Sequence, residues 1–407
     1  MLEIYQHHVP TRIVSGEAGL LANCSPELES FRGTKAGLVT DQVILSLGLI
    51  DGFKSSLAAA GIELVSVFSD VPQDSDVETV TRAANQFQEA GCSLFIAMGG
   101  GSVIDTAKAA NILVTHGGDL LDYQGAEVLT EPLLPLVVIP TTVGTGSEVT
   151  SVAVIADRVD HRKLTLVDHR LAPTVALLDP VVTRSLPPRL IAMTAMDALT
   201  HALEAYIDVA HNPFSDAFSV AAAATIRTSL PSALGDPESD VTQAARAKLQ
   251  QASTMAGIAF GHSMVGVVHA IAHALGGVAG VPHGLANALM LVEGLKCNAE
   301  VASDRIANIG TLTGFVEQGA ASGAASGAAS GPDDDVTLSN ATIRAVEVFR
   351  KQVLETAGLP LTLSEAGVTE VQIPWIVERA SEDGSMIYNP KYVEPEELTQ
   401  MIQSVFQ

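Results

Sequence analysis

The chain has 407 residues, 47% hydrophobic and 17% charged, a composition that supports packed cores and excludes a disordered or collagen-like polymer. Acidic residues outnumber basic ones 46 to 22, and the net charge of −24 repels phosphate backbones and anionic lipid surfaces, so neither nucleic acid nor membrane is expected as a partner. At roughly 150 residues per domain the length points to two domains.

In chain order, Met1–Pro10 lacks the basic start and long apolar run of an export signal. Cys24, Cys92 and Cys297 are widely separated and show no CxxC spacing, which argues against a disulfide framework or a thiolate cluster and for a reducing, cytoplasmic location. Up to about Leu186, short apolar runs alternate with amphipathic stretches, the rhythm of β-α units on a parallel sheet. Strands are expected at Ala36–Thr40, Leu64–Phe68, Leu94–Met98, Leu136–Ile139 and Val175–Leu178, each closed by a turn or helix-start residue such as Asp41, Asp70, Gly99, Pro140 or Asp179. The most apolar stretch, Leu133–Thr142, is broken by Pro135 and Pro140 and is shorter than the ~18 residues of a membrane span.

Three turns at the ends of these strands carry recognisable chemistry. Leu94–Met98 runs into Gly99-Gly100-Gly101-Ser102, where glycines admit close backbone approach and the following helix N-terminus favours negative charge. That pattern reads either as a diphosphate cradle or as a plain strand-to-helix turn. The hydroxyl-rich turn Pro140-Thr141-Thr142-Val143-Gly144-Thr145-Gly146 follows another strand, and open α/β sheets bind nucleotides at such positions. Asp41 reads either as a helix cap or as an acceptor for an adenosine ribose diol; in the second role its charge disfavours a 2′-phosphate, which argues for NAD over NADP.

After Leu186-Pro187-Pro188 the chain changes to long Ala- and Leu-rich segments of helical period, so an α/β domain over residues 1–185 and an all-helical domain over 186–407 are expected. In the helical half, Asp197 and His201 lie four residues apart, on one helix face, as do His269 and His273, and His283 follows Pro282 at a turn. Taken singly, each histidine reads as a hydrogen-bonded core residue. Four of the chain's 11 histidines in Ala- and Gly-rich surroundings are better explained by convergence on a divalent cation. Imidazoles with one carboxylate suit Fe2+ or Zn2+ rather than Mg2+ or Ca2+. Residues 319–335, which contain three Gly-Ala-Ala-Ser repeats, read as a flexible surface loop.

The segments GGGSVIDTAK, PTTVGTGSEVT, AMDALTHALEAY and VVHAIAHALGGVAGVPHG, in this order, resemble the iron-containing (group III) alcohol dehydrogenase family. The resemblance implies a Rossmann-like N-terminal domain and an all-α metal-binding domain, an architecture shared with dehydroquinate synthase. It implies metal ligands Asp197, His201, His269 and His283, a proton-transfer role for His273, and NAD contacts at Asp41, Gly99, Gly100, Gly101, Ser102, Asp105, Thr141, Thr142, Thr145 and Lys163. It also implies reversible oxidation of a small alcohol with NAD and Fe2+, Zn2+ being the alternative ion, and a homo-oligomer, a dimer or a multiple of one. Alternatives are a hydroxyacid-oxoacid transhydrogenase, a maleylacetate reductase, a glycerol dehydrogenase-like activity and, further off, a dehydroquinate-synthase-like lyase. Where many relatives carry Asn-Pro-Thr after the second strand this chain reads Pro72-Gln73-Asp74-Ser75, and Leu289-Met290-Leu291-Val292-Glu293 replaces the Leu-Pro-His-Val that often follows the last metal histidine.

Overall fold

A computed structural model describes residues 5–16, 19–159, 162–317 and 332–407. The chain divides into an α/β unit, His8–Ser185, and a helical unit that runs from Leu186 to Gln407 and takes in the N-terminal residues through His7.

The α/β unit is built on strands β1 (Arg12–Ser15), β2 (Lys35–Val39), β3 (Glu63–Phe68), β4 (Leu94–Gly99), β5 (Gly125–Ala126), β6 (Leu136–Pro140), β7 (Val152–Asp157), β8 (Arg162–Val167) and β9 (Val175–Leu178). Six form a wholly parallel sheet in the order β1-β9-β6-β4-β2-β3, and β5, β8 and β7 form a small second sheet in which β7 and β8 are antiparallel. The five expected strands all lie in the large sheet; β4 and β6, buried along their whole length, show why they read as unbroken apolar runs. Alternate residues of β4 serve opposite cores: Phe95 and Ala97 pack with Phe87, Val103 and Ile104, whereas Leu94, Ile96 and Met98 pack with Ile50, Phe53 and Leu57. The helices that follow β2 (Leu49–Ala60) and β4 (Gly101–His116) therefore cover opposite faces. From β2 the sheet grows outward to β3, and from β4 it grows the other way through β6 to β9. This reversal between neighbouring strands opens a crevice at their carboxyl ends, where Asp41 and Gly99–Ser102 stand.

In the helical unit, prolines occupy the first turns of Pro188–Ile207 and Pro213–Ala233, where a missing N–H costs nothing. Every residue from Ala195 to Ile207 is buried, and that helix packs against Pro213–Ala233, Asp240–Ser263 and His283–Leu312. The chain leaves Asp240–Ser263 through Met264, at φ 66°, and Gly266, and re-enters helix Val267–Ala279 at a bend of 104°. Among the described residues no single helix is long and apolar enough to cross a membrane. Most of the loop expected at 319–335 lies outside the described residues. Its last four positions are helical instead, because Pro332–Thr356 begins there; a proline followed by acidic residues is what a helix N-terminus prefers.

Candidate metal centre and cofactor turns

Asp197 and His201 lie one turn apart on the buried part of helix Pro188–Ile207, 2% and 5% exposed. His269 comes from Val267–Ala279, and His283 opens the helix His283–Leu312. The Asp197 Oδ1 lies 3.5 Å from His283 Nε2, 3.6 Å from His269 Nε2 and 3.9 Å from His201 Nε2, and all four donor atoms fall within 4.8 Å of one another. A tetrahedral ion with bonds of ~2.1 Å has ligand-to-ligand edges of ~3.4 Å, so small movements would close this set around a cation. One carboxylate and three imidazoles are a donor set for Fe2+ or Zn2+.

The surroundings tune these donors. Burial alone would raise the Asp197 carboxyl, but His201, His283 and His269 outweigh it and hold it well below the ordinary carboxylate range. Burial disfavours the charged form of His269, yet the Asp197 and Glu204 carboxylates push its pKa up to about 9, which makes it a more basic donor. Glu204, 1% exposed, faces His269 Nδ1 at 2.5 Å and accepts the Val268 N–H at 2.7 Å, while Asn389 Oδ1 accepts the Val267 N–H. These two side chains cap the helix that carries His269, and Glu204 directs Nε2 toward Asp197. His201 stacks between Phe260 and His269, with ring centroids at 4.2 and 4.5 Å. Asn287, fully buried one turn beyond His283, places its Nδ2 2.6 Å from Asp197 Oδ1 and 3.1 Å from both His269 Nε2 and His283 Nε2.

His273 stands beside this group, its ring stacked on that of His283 at 5.3 Å, and its Nδ1 meets Asp383 Oδ2 at 2.9 Å. Burial would raise the Asp383 carboxyl, but the His273 partner and the Ser385 N–H bring it down to about 2. Glu204, Asn287 and Asp383 are absent from the residues singled out by sequence. Glu204 and Asn287 had a signal, helical spacing from His201 and His283, whereas Asp383 lies 110 residues beyond its partner and had none.

In the α/β unit, Gly100 caps the helix Gly101–His116 in an extended conformation, and the two turns flagged in the sequence touch. A Cβ at Gly100 would lie 3.0 Å from Thr142 Cγ2, and one at Gly101 2.9 Å from Thr145 Cγ2, so glycine permits the approach of the two segments. Thr141 joins them through its N–H to Gly99 O. Asp41 is a helix N-cap whose Oδ1 accepts the Ile44 N–H. Asp105 spends both oxygens internally, on Ser147 Oγ at 2.6 Å and the Val154 N–H at 3.0 Å. Fully buried Lys108 donates to Thr150 O and Val152 O, both at 2.8 Å, and its burial lowers its pKa to about 8. The pair braces the segment that leads out of the threonine turn; Asp105 thus supports the turn instead of presenting a free carboxylate. Asp74, at φ 55°, donates its N–H to Ser102 Oγ and pairs with Lys163 Nζ at 2.9 Å.

Residues 10–180 match the family described as iron-containing alcohol dehydrogenase, and residues 191–406 match the C-terminal domain of the same family. The chain is 33% identical over 396 residues to the NAD-dependent methanol dehydrogenase of Bacillus methanolicus, covering 97% of this chain and 98% of that protein. It is 34% identical over 376 residues to the 1,3-propanediol dehydrogenase of Citrobacter freundii, with 92% of each covered. Its fold matches a crystal structure of 1,3-propanediol oxidoreductase with a TM-score of 0.89 at 32% identity, over 99% of this chain and 100% of that one. It also matches sulfoacetaldehyde reductase from Bifidobacterium kashiwanohense, solved in complex with NAD+, with a TM-score of 0.83 at 27% identity over 99% of both chains. The chain belongs to the iron-containing alcohol dehydrogenase family, oxidoreductases that use NAD and iron on the CH–OH group.

Proposed function

We propose that this chain interconverts a short primary alcohol or diol and its aldehyde with NAD, using a metal held by Asp197, His201, His269 and His283. The observation that carries the reading is the gathering of three imidazole nitrogens within 3.9 Å of the buried Asp197 Oδ1. The names of the methanol and propanediol relatives support the substrate class. When bound, a divalent ion supplies a Lewis acid for the alcohol oxygen and the nicotinamide supplies a hydride acceptor.

The chain's own residues do the rest. Glu204 fixes the His269 tautomer by accepting from Nδ1. Asp383 does the same for His273, which leaves Nε2 of that ring to take the hydroxyl proton and pass it on. Gly99–Ser102 offer backbone N–H groups at a helix N-terminus to a diphosphate, and Thr141, Thr142, Thr145 and Lys163 add hydroxyls and a cation. Asp41 accepts from the ribose diol. The buried free cysteines Cys24, Cys92 and Cys297 support a cytoplasmic location, and a dimer or a multiple of it is the proposed assembly, to be read by size-exclusion chromatography with light scattering.

The test is NADH formation with methanol, ethanol and 1,3-propanediol alongside elemental analysis. Wild-type protein is expected to carry metal and produce NADH, and Asp197→Ala to lose both while still binding NAD. Undiminished turnover in Asp197→Ala would overturn the assignment.

A further inference from the structure

We propose that Asn287 is a neutral occupant of the metal centre, gathering the ligands when the ion is out and giving way when it enters. The inference rests on the reading that Asp197, His201, His269 and His283 hold a metal. Asn287 is fully buried, and its Nδ2 touches three of the four donor atoms, at 2.6 Å from Asp197 Oδ1 and 3.1 Å from the Nε2 atoms of His269 and His283. An amide nitrogen has two hydrogens, so one serves Asp197 while the imidazoles share the other. Its carbonyl end, although buried, has no hydrogen-bond partner among the described residues. The amide is thus placed by its N–H end alone, against the lone pairs that a cation would use.

One lone pair cannot serve an N–H and a cation together. Metal entry therefore breaks the Asn287 contacts to the His269 and His283 nitrogens, which have one lone pair each, whereas Asp197 Oδ1 has two and can keep its own; metal loss restores them. Without the amide, Asp197 Oδ1 and the ring nitrogens of His269 and His283 would lose that N–H donor, which is costly where water is excluded. Asn287 should accordingly stabilise the metal-free form more than the loaded form, and weaken the apparent metal affinity by the same factor.

The experiment compares wild type, Asn287→Ala and Asn287→Asp, each stripped with chelator and then titrated with Zn2+ against a chromogenic competitor. Thermal melts of the stripped and loaded forms are recorded in parallel. In both variants the stripped form should melt several degrees lower while the loaded form moves less, and the Zn2+ dissociation constant should fall about five- to tenfold. Asn287→Asp keeps the side chain's shape and adds a carboxylate beside Asp197, so it carries the test if the alanine variant does not fold. Equal loss of melting temperature in both forms with unchanged affinity would make Asn287 a packing residue and overturn the proposal. Weaker Zn2+ binding in Asn287→Ala would overturn it differently, by making the amide oxygen a ligand. Failure of the wild type to bind Zn2+ or Fe2+ would instead refute the metal-site reading beneath it.

Discussion

Glu204→Gln changes a side chain that supplies no ligand, yet it should loosen the metal. The carboxylate is 1% exposed and serves two donors at once, the Val268 N–H at 2.7 Å and His269 Nδ1 at 2.5 Å. Glutamine keeps the volume and can still accept from Val268, but its NH2 then faces Nδ1. The imidazole must move its proton to Nε2, the nitrogen 3.6 Å from Asp197 Oδ1, and that nitrogen can no longer bind an ion. Loss of such an orienting partner weakens metal affinity about 10- to 100-fold, or ~1.4–2.7 kcal/mol. The fold itself should suffer less than the ~1.5–3 kcal/mol of a charged hydrogen bond. Asp208 is also buried, and its carboxyl is pushed up by that burial and by the Glu204 charge, which glutamine removes. The assay is Zn2+ competition on protein whose stripped form still melts cooperatively. An affinity indistinguishable from wild type would show that Glu204 does not set the His269 tautomer.

Three further outcomes are expected. Asp41→Ser keeps a capping oxygen for Ile44 but removes the charge, so discrimination against NADP should fall on the order of tenfold in kcat/KM; an unchanged preference would remove Asp41 from cofactor choice. Asp74→Asn releases Lys163 from an ion pair whose members are 64% and 27% exposed, and should tighten NAD binding about two- to fivefold by calorimetry, whereas weaker binding would mean that the pair holds the site open. Lys108 has its folded pKa lowered to about 8 from an ordinary 10.5, so the unfolded chain holds the extra proton between those values. Wild-type stability relative to Lys108→Met should then rise through that window by on the order of 3 kcal/mol in urea melts, and a flat difference would contradict the burial argument.

The sequence shows its large features where burial imposes a period. β4 and β6 are apolar throughout because both faces are covered, and β2, β3 and β9 are short and closed by turn residues. The hairpin of β7 and β8 escaped because alanine and aspartate fill two of the three buried positions of β7, Ala153 and Asp157 beside Ile155, and because β8 opens with Arg162-Lys163. β1 is an edge strand of four residues, too short for a periodic signal. The i, i+4 pairs made three of the four proposed metal ligands visible, Asp197, His201 and His269, since a helix converts that spacing into proximity. Asp383 was invisible because its contact with His273 is made by tertiary packing alone.

One polar stripe was read only in its first half. Asp197, His201 and Glu204 follow one another at spacings of four and three along one edge of the helix, and Asp208, four residues further on, is its C-cap. On a stretch buried from Ala195 to Ile207, such polar groups gain from partners, and the partners of Asp197, His201 and Glu204 define the site. Asp197 and His201 face the metal position, and Glu204 holds both His269 and the first turn of its helix. A single rigid element therefore carries two of the proposed ligands and orients a third. Any shift of that helix moves all three together, so the spacing among them survives thermal motion better than spacing set by independent loops. His283 is different: it opens its own helix, its side chain is 40% exposed, and its Nε2 meets Asp197 and the Asn287 amide. Of the four proposed ligands it is the one positioned to swing as an ion enters or leaves, and Asn287, one turn away on the same helix, is placed to receive it.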